Sequence, residues 1–306
     1  MPKLKKITEH ISLLEDFIIK NEDLPFFNDQ KLKELGFKYM ESNAYRYAVT
    51  ISYLSRFINN HSKLIDFGSF PGQLQKLIFE KFNIKSTLVG LGLNNNFKSY
   101  FSDFSILETN LENKQRFNKI KETYNLATAL NIIEHMEYPN ALLDSINYFM
   151  QPNGILILTT DNISSLNSIK AIIRGKSPNE NLTKSKIFFN GDWRPHVRIF
   201  SKDELTFLLN YSGFSVIEHS YFDHKSREYK LIDDKLKLKK KSLRNKFVDL
   251  LKDRYSYTKD HHIFVAKKRV SYSELNSLRP LPTSSLNKWI DTRKSCLDYK
   301  IFKLTN

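Results

Sequence analysis

The stretch that decides the fold is KLIDFGSFPG, residues 63–72. Its apolar start ends in Asp66, and Gly68 and Gly72 then lead into an amphipathic segment at 72–82 with helical spacing. A strand that turns through glycines into a helix directs backbone N–H groups and the positive helix end at one point beyond the sheet. Glycine has no Cβ to keep a ligand from that backbone, and Asp66 can meet a cationic group. The pattern indicates a site for a small, nucleoside-like cofactor with a charged tail.

The same loop has a second interpretation. The dinucleotide pattern G-x-G-x-x-G is absent, because Phe70 stands two residues after Gly68 and the next glycine is Gly72. The glycines could therefore serve only the tight packing of a strand against a helix. The loop alone does not decide between these interpretations.

Apolar runs and helical patterns alternate along the rest of the chain. Runs such as Ile155-Leu156-Ile157-Leu158 are typical of parallel strands that are covered on both faces. The alternation predicts an α/β fold with a doubly wound, Rossmann-like sheet and a ligand site beyond the carboxyl ends of its strands. The predicted strands are 63–67, 86–91, 105–108, 125–130, 154–159, 214–219 and 262–267, and the predicted helices are 6–20, 42–59, 72–82, 95–103, 139–149, 164–173 and 201–211.

This alternating region, residues 60–268, is the predicted core domain. We expect a helical cap at 1–59 before it and a tail at 269–306 after it. An inserted lid is predicted at 160–199, and a basic helical segment at 225–254.

The basic segment carries twelve lysines and arginines against five aspartates and glutamates. It could dock onto an anionic membrane or a polyanionic substrate. The commoner arrangement is a surface helix that packs its apolar stripe inward and solvates its charges. That stripe would consist of Leu236, Leu243, Phe247, Leu250 and Leu251.

Composition limits the compartment and the partners. The one cysteine, Cys296, fits a reducing compartment, and the first residues lack the apolar core of a signal peptide, so we expect a cytoplasmic protein. The net charge of +15 favours an anionic partner such as a nucleic acid, a phosphorylated substrate or a membrane surface. A generic lysine-rich surface would give the same charge.

The combined motifs resemble those of class I S-adenosylmethionine-dependent methyltransferases. They are DFGSFPG at 66–72, YNLATALNIIEH at 124–135, QPNGILIL at 151–158 and HVRIFS at 196–201, followed by Gly213-Phe214. The group most similar in these motifs has an E-x-x-E-H-like element after the fourth strand and includes ubiquinone-type and polysaccharide-cluster O-methyltransferases. The resemblance implies S-adenosylmethionine as the cofactor and a seven-stranded sheet whose last strand is antiparallel.

The resemblance also implies where the cofactor binds. The loop after the first strand would surround the methionine end, and the residues after the fourth strand would touch the amino group and the sulfonium. In the family, the second strand usually ends in an acidic residue that holds the two ribose hydroxyls. In this sequence that position is Gly92, and Asn94 is the nearest polar residue that could replace the acid. The adenine would be read at Asn110 and the adjoining Leu111. The implied cofactor residues are Asp66, Gly68, Ser69, Gly72, Gly92, Asn94, Asn110, Leu111, Leu130 and Asn131.

Four positions depart from the family pattern by carrying a neutral residue where an acid is usual. They are Gly92, Asn110, Asn125 and Asn131. Loss of a charged hydrogen bond costs roughly 1.5–3 kcal/mol, so these residues weaken cofactor binding or mark a catalytically silent relative.

A hydroxyl acceptor has to lose a proton, and histidine is suited to that task near neutral pH. His135, beside Glu134, is the predicted base, and His196 is the second candidate. We expect no metal, because Asn131 stands where some relatives have a carboxylate. A helix-start histidine bonded to backbone is the alternative role for His135.

The residues around His196 are the predicted acceptor site. Trp193 could stack on a sugar, and Arg194 and Arg198 could donate to an anionic acceptor. The alternative is a connector that locks the lid onto the sheet.

The sequence leaves three functions open. The leading one is methyl transfer to a hydroxyl of a small molecule or glycan, such as a sugar, nucleotide-sugar or lipid-linked saccharide. An RNA or other nucleic-acid methyltransferase is less favoured, because the Asx-Pro-Pro-aromatic element for base amino groups is missing. A silent methyltransferase-fold binding protein is the third.

Overall fold

A computed structural model describes residues 43, 45–70, 72–90, 93, 95–111, 124–179, 196–223 and 243–278. Seven strands form one sheet in the order β3-β2-β1-β4-β5-β7-β6. The strands are β1 (Leu64–Phe67), β2 (Thr87–Gly90), β3 (Ser105–Glu108), β4 (Tyr124–Leu130), β5 (Met150–Asp161), β6 (Phe214–Phe222) and β7 (His261–Lys268). β1 to β5 are parallel, and β7 pairs antiparallel with both β5 and β6. The predicted seven-stranded, Rossmann-like α/β fold is confirmed.

Helices cover both faces of this sheet. They are α1 (45–54), α2 (Gln73–Phe82), α3 (Asn95–Tyr100), α4 (Pro139–Phe149), α5 (Leu166–Ile173), α6 (Lys202–Tyr211), α7 (Leu243–Arg254) and α8 (Tyr272–Leu278). On one face Phe67 and Leu158 belong to a core cluster with Phe149 of α4 and Leu205 of α6. On the other face Leu64 and Val265 pack with residues of α1 and α2. Because both faces are covered, the carboxyl edge of the parallel strands is the place for a ligand.

Local signals predicted some element ends well. Ser201 caps α6 at the start predicted for the helix at 201–211, and Glu204 closes a capping box with it. The strand predicted at 154–159 is longer in the structure, since β5 begins at Met150, and its pairing with β4 shifts register near this start. Asn153 takes a left-handed φ of 63° there, which asparagine tolerates better than most residues.

The flanking segments are described only in part. The predicted helix at 6–20 lies outside the described residues, whereas α1 packs in the core. After β7, Leu275 of α8 is buried and Tyr272 packs edge-on against Tyr148 of α4. Within the described residues, no helix combines the length and the apolarity needed to cross a bilayer.

Candidate active site

The carboxyl end of β1 opens into a small cavity. It is lined by the loop after β1, by the start of α2, by Leu130 at the end of β4, and by Arg46 and Tyr47 of α1. Asp66, Gly68, Ser69, Gly72 and Leu130, all predicted as cofactor residues, therefore share one cavity. Arg46 was not predicted from the sequence, because nothing in the pattern of α1 shows that it reaches the loop after β1.

Asp66 is the buried acid of this cavity. Its Oδ1 accepts a hydrogen bond of 2.5 Å from the Thr128 hydroxyl on β4. Burial raises the pKa of Asp66 to about 6, although hydrogen bonds from neighbouring side chains oppose the shift. The carboxylate is thus held where its charge is poorly solvated, and a cationic ligand group would stabilise it.

Gly68 and Gly72 are required by the protein itself. Their φ angles are +79° and +86°, a region that favours glycine. A Cβ on Gly68 would lie 2.7 Å from the Ile132 side chain, and one on Gly72 would lie 2.3 Å from the Phe101 ring. The Cβ position of each glycine faces a protein side chain, which supports the packing interpretation, whereas their role in cofactor binding stays a prediction.

The far end of the predicted cofactor site is described in part. Gly92 and Asn94 lie outside the described residues, so the missing ribose acid stays a prediction. Asn110 follows β3 and is half-buried. The Leu111 side chain belongs to the core cluster, so it packs against protein.

Three of the predicted site residues come together beyond β4. Glu134 and His135 lie in a short 3-10 turn, Ile133–His135. The rings of His135 and His196 meet edge-on with centroids 4.7 Å apart. The backbone of the His196 segment is held to the turn, because the N–H of Val197 donates to the Glu134 carbonyl at 2.8 Å. The two predicted histidines are therefore neighbours although 61 positions separate them.

Asp161, the last residue of β5, joins this group and was not predicted. Its carboxylate oxygens lie 3.0 Å from Nδ1 of His196 and 2.9 Å from Nδ1 of His261. The Asn131 amide also donates to it at 3.2 Å. Burial alone would raise the pKa of Asp161, but the two imidazoles outweigh it and hold that pKa well below its usual value.

Glu134 is fully buried beneath the histidines. Its Oε2 accepts from the Thr160 hydroxyl at 2.8 Å, whereas its Oε1 is buried with no hydrogen-bond partner in the described part of the chain. Burial, together with the charge of Asp161, raises the pKa of Glu134 to about 7. A buried oxygen without a partner is costly, so Glu134 has capacity for one more donor or for a cation.

Ligand atoms of Glu134, His135 and His196 all lie within 4.8 Å of one another. One carboxylate and two imidazoles suit a divalent transition metal or zinc. The expectation of no metal rested on Asn131, but in this grouping His196 supplies the third ligand. The expectation itself stays untested.

The predicted acceptor residues are dispersed or not described. Trp193 and Arg194 lie outside the described residues. Arg198 pairs with Glu204 on the first turn of α6 at 2.5 Å and stacks on the Phe200 ring. This contact favours the connector interpretation for Arg198, since its guanidinium is occupied beside the helix start.

A methyltransferase-domain family model matches residues 39–219. No curated protein sequence matches the chain. A methyltransferase in complex with the Haloferax volcanii Trm112 activator is similar in structure, with 12% identity, 76% of this chain and 92% of that chain covered, and a TM-score of 0.51. A SAM-dependent methyltransferase from Archaeoglobus fulgidus has 15% identity, 76% and 99% coverage and a TM-score of 0.47. A Haemonchus contortus phosphoethanolamine N-methyltransferase 2, in complex with S-adenosylhomocysteine, has 14% identity, 72% and 52% coverage and a TM-score of 0.46.

At such identities the structural likeness shows the fold alone, and the family model carries the assignment. It spans more than half of the chain and includes the loop after β1, the β4 motif and the His196 segment. The chain belongs to the class I S-adenosylmethionine-dependent methyltransferases, whose cofactor is S-adenosylmethionine.

Proposed function

We propose that this protein transfers the methyl group of S-adenosylmethionine to a hydroxyl group of a small molecule or a glycan. The observation that carries the proposal is the 3.0 Å contact between Asp161 and Nδ1 of His196. A carboxylate at Nδ1 favours the tautomer that is protonated there and leaves Nε2 as a proton acceptor. A hydroxyl has to lose its proton to accept a methyl group, whereas the displacement itself mainly needs positioning.

The residues of the cavity fit the methionine end of the cofactor. Arg46 would bind the carboxylate and Asp66 the ammonium group, so the two ends of a zwitterion would meet opposite charges. The cofactor, when bound, supplies an electrophilic methyl group on its sulfonium. The raised pKa of Asp66 supports this assignment, because a buried carboxylate is stabilised by a cation.

His196 is the proposed base, and Asp161 is its positioning residue. His135 was favoured from the sequence, but the carboxylate contact belongs to His196. His135 packs on the His196 ring and would limit its rotation. We expect His196→Ala to lower turnover by roughly 10²–10⁴-fold with little change in the affinity for S-adenosylhomocysteine. Asp161→Asn should lower turnover and change the pH–rate profile, whereas a merely structural role would leave that profile unchanged.

The direct test is transfer of labelled methyl from S-adenosylmethionine to a panel of acceptors. The panel contains sugars, nucleotide-sugars and lipid-linked saccharides, with amines and total RNA as separate arms. Label on an oxygen of a saccharide supports the proposal. Label on RNA or on amines alone would overturn it, and calorimetry showing no binding of S-adenosylhomocysteine would favour the silent binding protein.

A divalent cation offers a second route for the same residues. Glu134, His135 and His196 would hold it, and the unpartnered Oε1 of Glu134 favours this. A bound cation would lower the pKa of an acceptor hydroxyl. Calorimetric titration of the chelator-treated protein with Mn²⁺ or Zn²⁺ tests this without any turnover. Binding that His135→Ala abolishes supports the cation, and no binding would exclude this route.

A further inference from the structure

Helix α7 turns a lysine inward and apolar side chains outward. The Lys252 side chain is only 8% exposed, and its Nζ donates to Asp223 at 2.6 Å and to Asp260 at 2.9 Å. Phe247 and Leu250 are 59% and 64% exposed. At about 100° per residue both lie roughly 140–160° from Lys252 around the helix. The expectation that the apolar stripe of this segment packs inward is therefore wrong for Phe247 and Leu250.

Helix α5 adds further exposed apolar side chains. Ile172 and Ile173 are 54% and 79% exposed, and Ser168 is the one residue of α5 classed as buried. Asp260 joins the two helices, since its Oδ1 accepts from Asn167 of α5 at 3.3 Å and its Oδ2 from Lys252 of α7.

Two tyrosines lie between α7 and β7. The rings of Tyr255 and Tyr257 are exposed and 5.9 Å apart. The α5–α7 face is defined here by Ile172, Ile173, Phe247, Leu250, Tyr255 and Tyr257. Phe247 and Leu250 lie one turn apart on α7, and the two tyrosine rings adjoin each other. Exposed apolar side chains that group in this way mark an interaction surface.

Positive charge accompanies the α5–α7 face. Lys170, Arg174, Lys176 and Arg254 are all exposed, whereas Asp253 is the exposed acid on the described part of α7. The chain as a whole carries a net charge of +15. In a two-fold contact between two copies of this chain, the same cations of both copies would face and repel one another. The charge therefore favours an anionic partner.

We propose that the α5–α7 face docks the protein on the surface of a bilayer that contains anionic lipids. Leucine, isoleucine and phenylalanine side chains would enter the boundary between headgroups and acyl chains. Tyrosines are suited to the headgroup level, and the cations would meet lipid phosphates.

Helices α5 and α7 are linked to the candidate site through Asp260. Asp260, which joins the two helices, directly precedes His261, and Nδ1 of His261 lies 2.9 Å from Asp161 beside His196. Membrane docking would favour a lipid-linked saccharide over a free sugar as the acceptor, a step that rests on the proposed function, whereas the docking itself does not.

Flotation of the full chain with lipid vesicles tests the docking. One vesicle is pure phosphatidylcholine, and the other contains about one third phosphatidylglycerol. We expect flotation with the anionic vesicle, weakened by high salt. The double variant Phe247→Ser/Leu250→Ser should lower the partition coefficient about tenfold or more, and Arg174→Glu/Arg254→Glu should also lower it severalfold.

The matched control is Phe207→Ser/Ile217→Ser, which changes two residues of α6 and β6 that are also exposed. It should float as the unsubstituted protein does, and thermal melting checks that every variant folds. Three results would overturn the docking: no flotation with either vesicle, an equal loss in the control, or flotation that Phe247→Ser/Leu250→Ser leaves unchanged. If the protein does not bind lipid but forms a dimer that Phe247→Ser/Leu250→Ser dissociates, the face is an interface with a second copy of the chain. No cofactor is added in this flotation assay, so membrane docking can be detected even if the protein has no transferase activity.

Discussion

Replacing Asp66 by Asn should stabilise the cofactor-free protein at neutral pH, although Asp66 lies in the candidate site. The carboxyl has a pKa of about 6 in the folded chain because it is buried, against an ordinary value of 3.8. Each unit of difference corresponds to about 1.4 kcal/mol. The charged form therefore costs the folded state about 3 kcal/mol at pH 7. Asparagine removes this cost and still offers an oxygen to the Thr128 hydroxyl.

The pH dependence fixes the sign of this effect. Because the pKa of Asp66 is higher in the folded state, the unfolded chain releases its proton first as the pH rises. The stability contributed by the protonated carboxyl is complete below about pH 4 and is lost as the pH rises through about 6. The free energy of unfolding of Asp66→Asn should exceed that of the unsubstituted protein by about 1–3 kcal/mol at pH 7, and by almost nothing at about pH 4.

Urea unfolding across this pH range measures the difference. The exposed Asp103→Asn is the matched control and should change stability by less than about 0.5 kcal/mol throughout. The Asp66→Asn variant should also bind S-adenosylhomocysteine at least about tenfold more weakly, since a hydrogen bond to a charged group is lost. If the variant were destabilised at pH 7 and at pH 4 alike, the carboxylate would be a satisfied structural group, and the reasoning would fail.

Three further predictions concern other residues. Arg46→Ala should weaken S-adenosylhomocysteine binding by about tenfold or more, with Arg46→Lys intermediate; equal affinity in calorimetry would remove Arg46 from the site. Gly72→Ala should lower the free energy of unfolding by about 2–4 kcal/mol, because φ is +86° and the new Cβ meets the buried Phe101 ring; an unchanged melting temperature would contradict the loop conformation. Burial lowers the pKa of His219 to about 3 and of His262 to about 4, so stability should fall as the pH drops from about 6.5 towards 4; His219→Phe should reduce that loss in acid unfolding, and an unchanged pH dependence would refute it.

Features that depend on near neighbours in the chain were predictable. The parallel strands follow from apolar runs, and the Ser201–Glu204 capping box follows from two residues three positions apart. The helical periodicity of α7 was visible as well, but not its orientation. Periodicity shows that a stripe exists, whereas the Lys252 contacts that turn it outward come from Asp223 and Asp260 elsewhere in the chain.

Site residues whose role comes from distant contacts were not predictable. Asp161 stands at the end of a strand without a motif, and its importance comes from His196 and His261, 35 and 100 positions further along. Arg46 lies in a helix whose pattern indicates only amphipathic packing. The direct pairing of His135 with His196 also needed the tertiary structure, although the topology predicted the common sheet edge.

Two of the four neutral residues that suggested a silent relative have a structural role in the protein. The Asn125 side-chain oxygen accepts from the backbone N–H of Lys63 at 2.7 Å, a role for which an acceptor is enough and a charge is not needed. Asn131 sits at φ 48°, which asparagine tolerates better than glutamate.

Asn131 also uses both ends of its amide. It accepts from Thr159 at 2.8 Å and donates to Asp161 at 3.2 Å, and a glutamate could not make the second bond while ionised. The negative charge that the family pattern places at 131 is thus supplied by Asp161, next to His196, and an additional carboxylate at 131 would repel it. Asn131 is therefore compatible with an active enzyme, because it supports the charge that positions the proposed base.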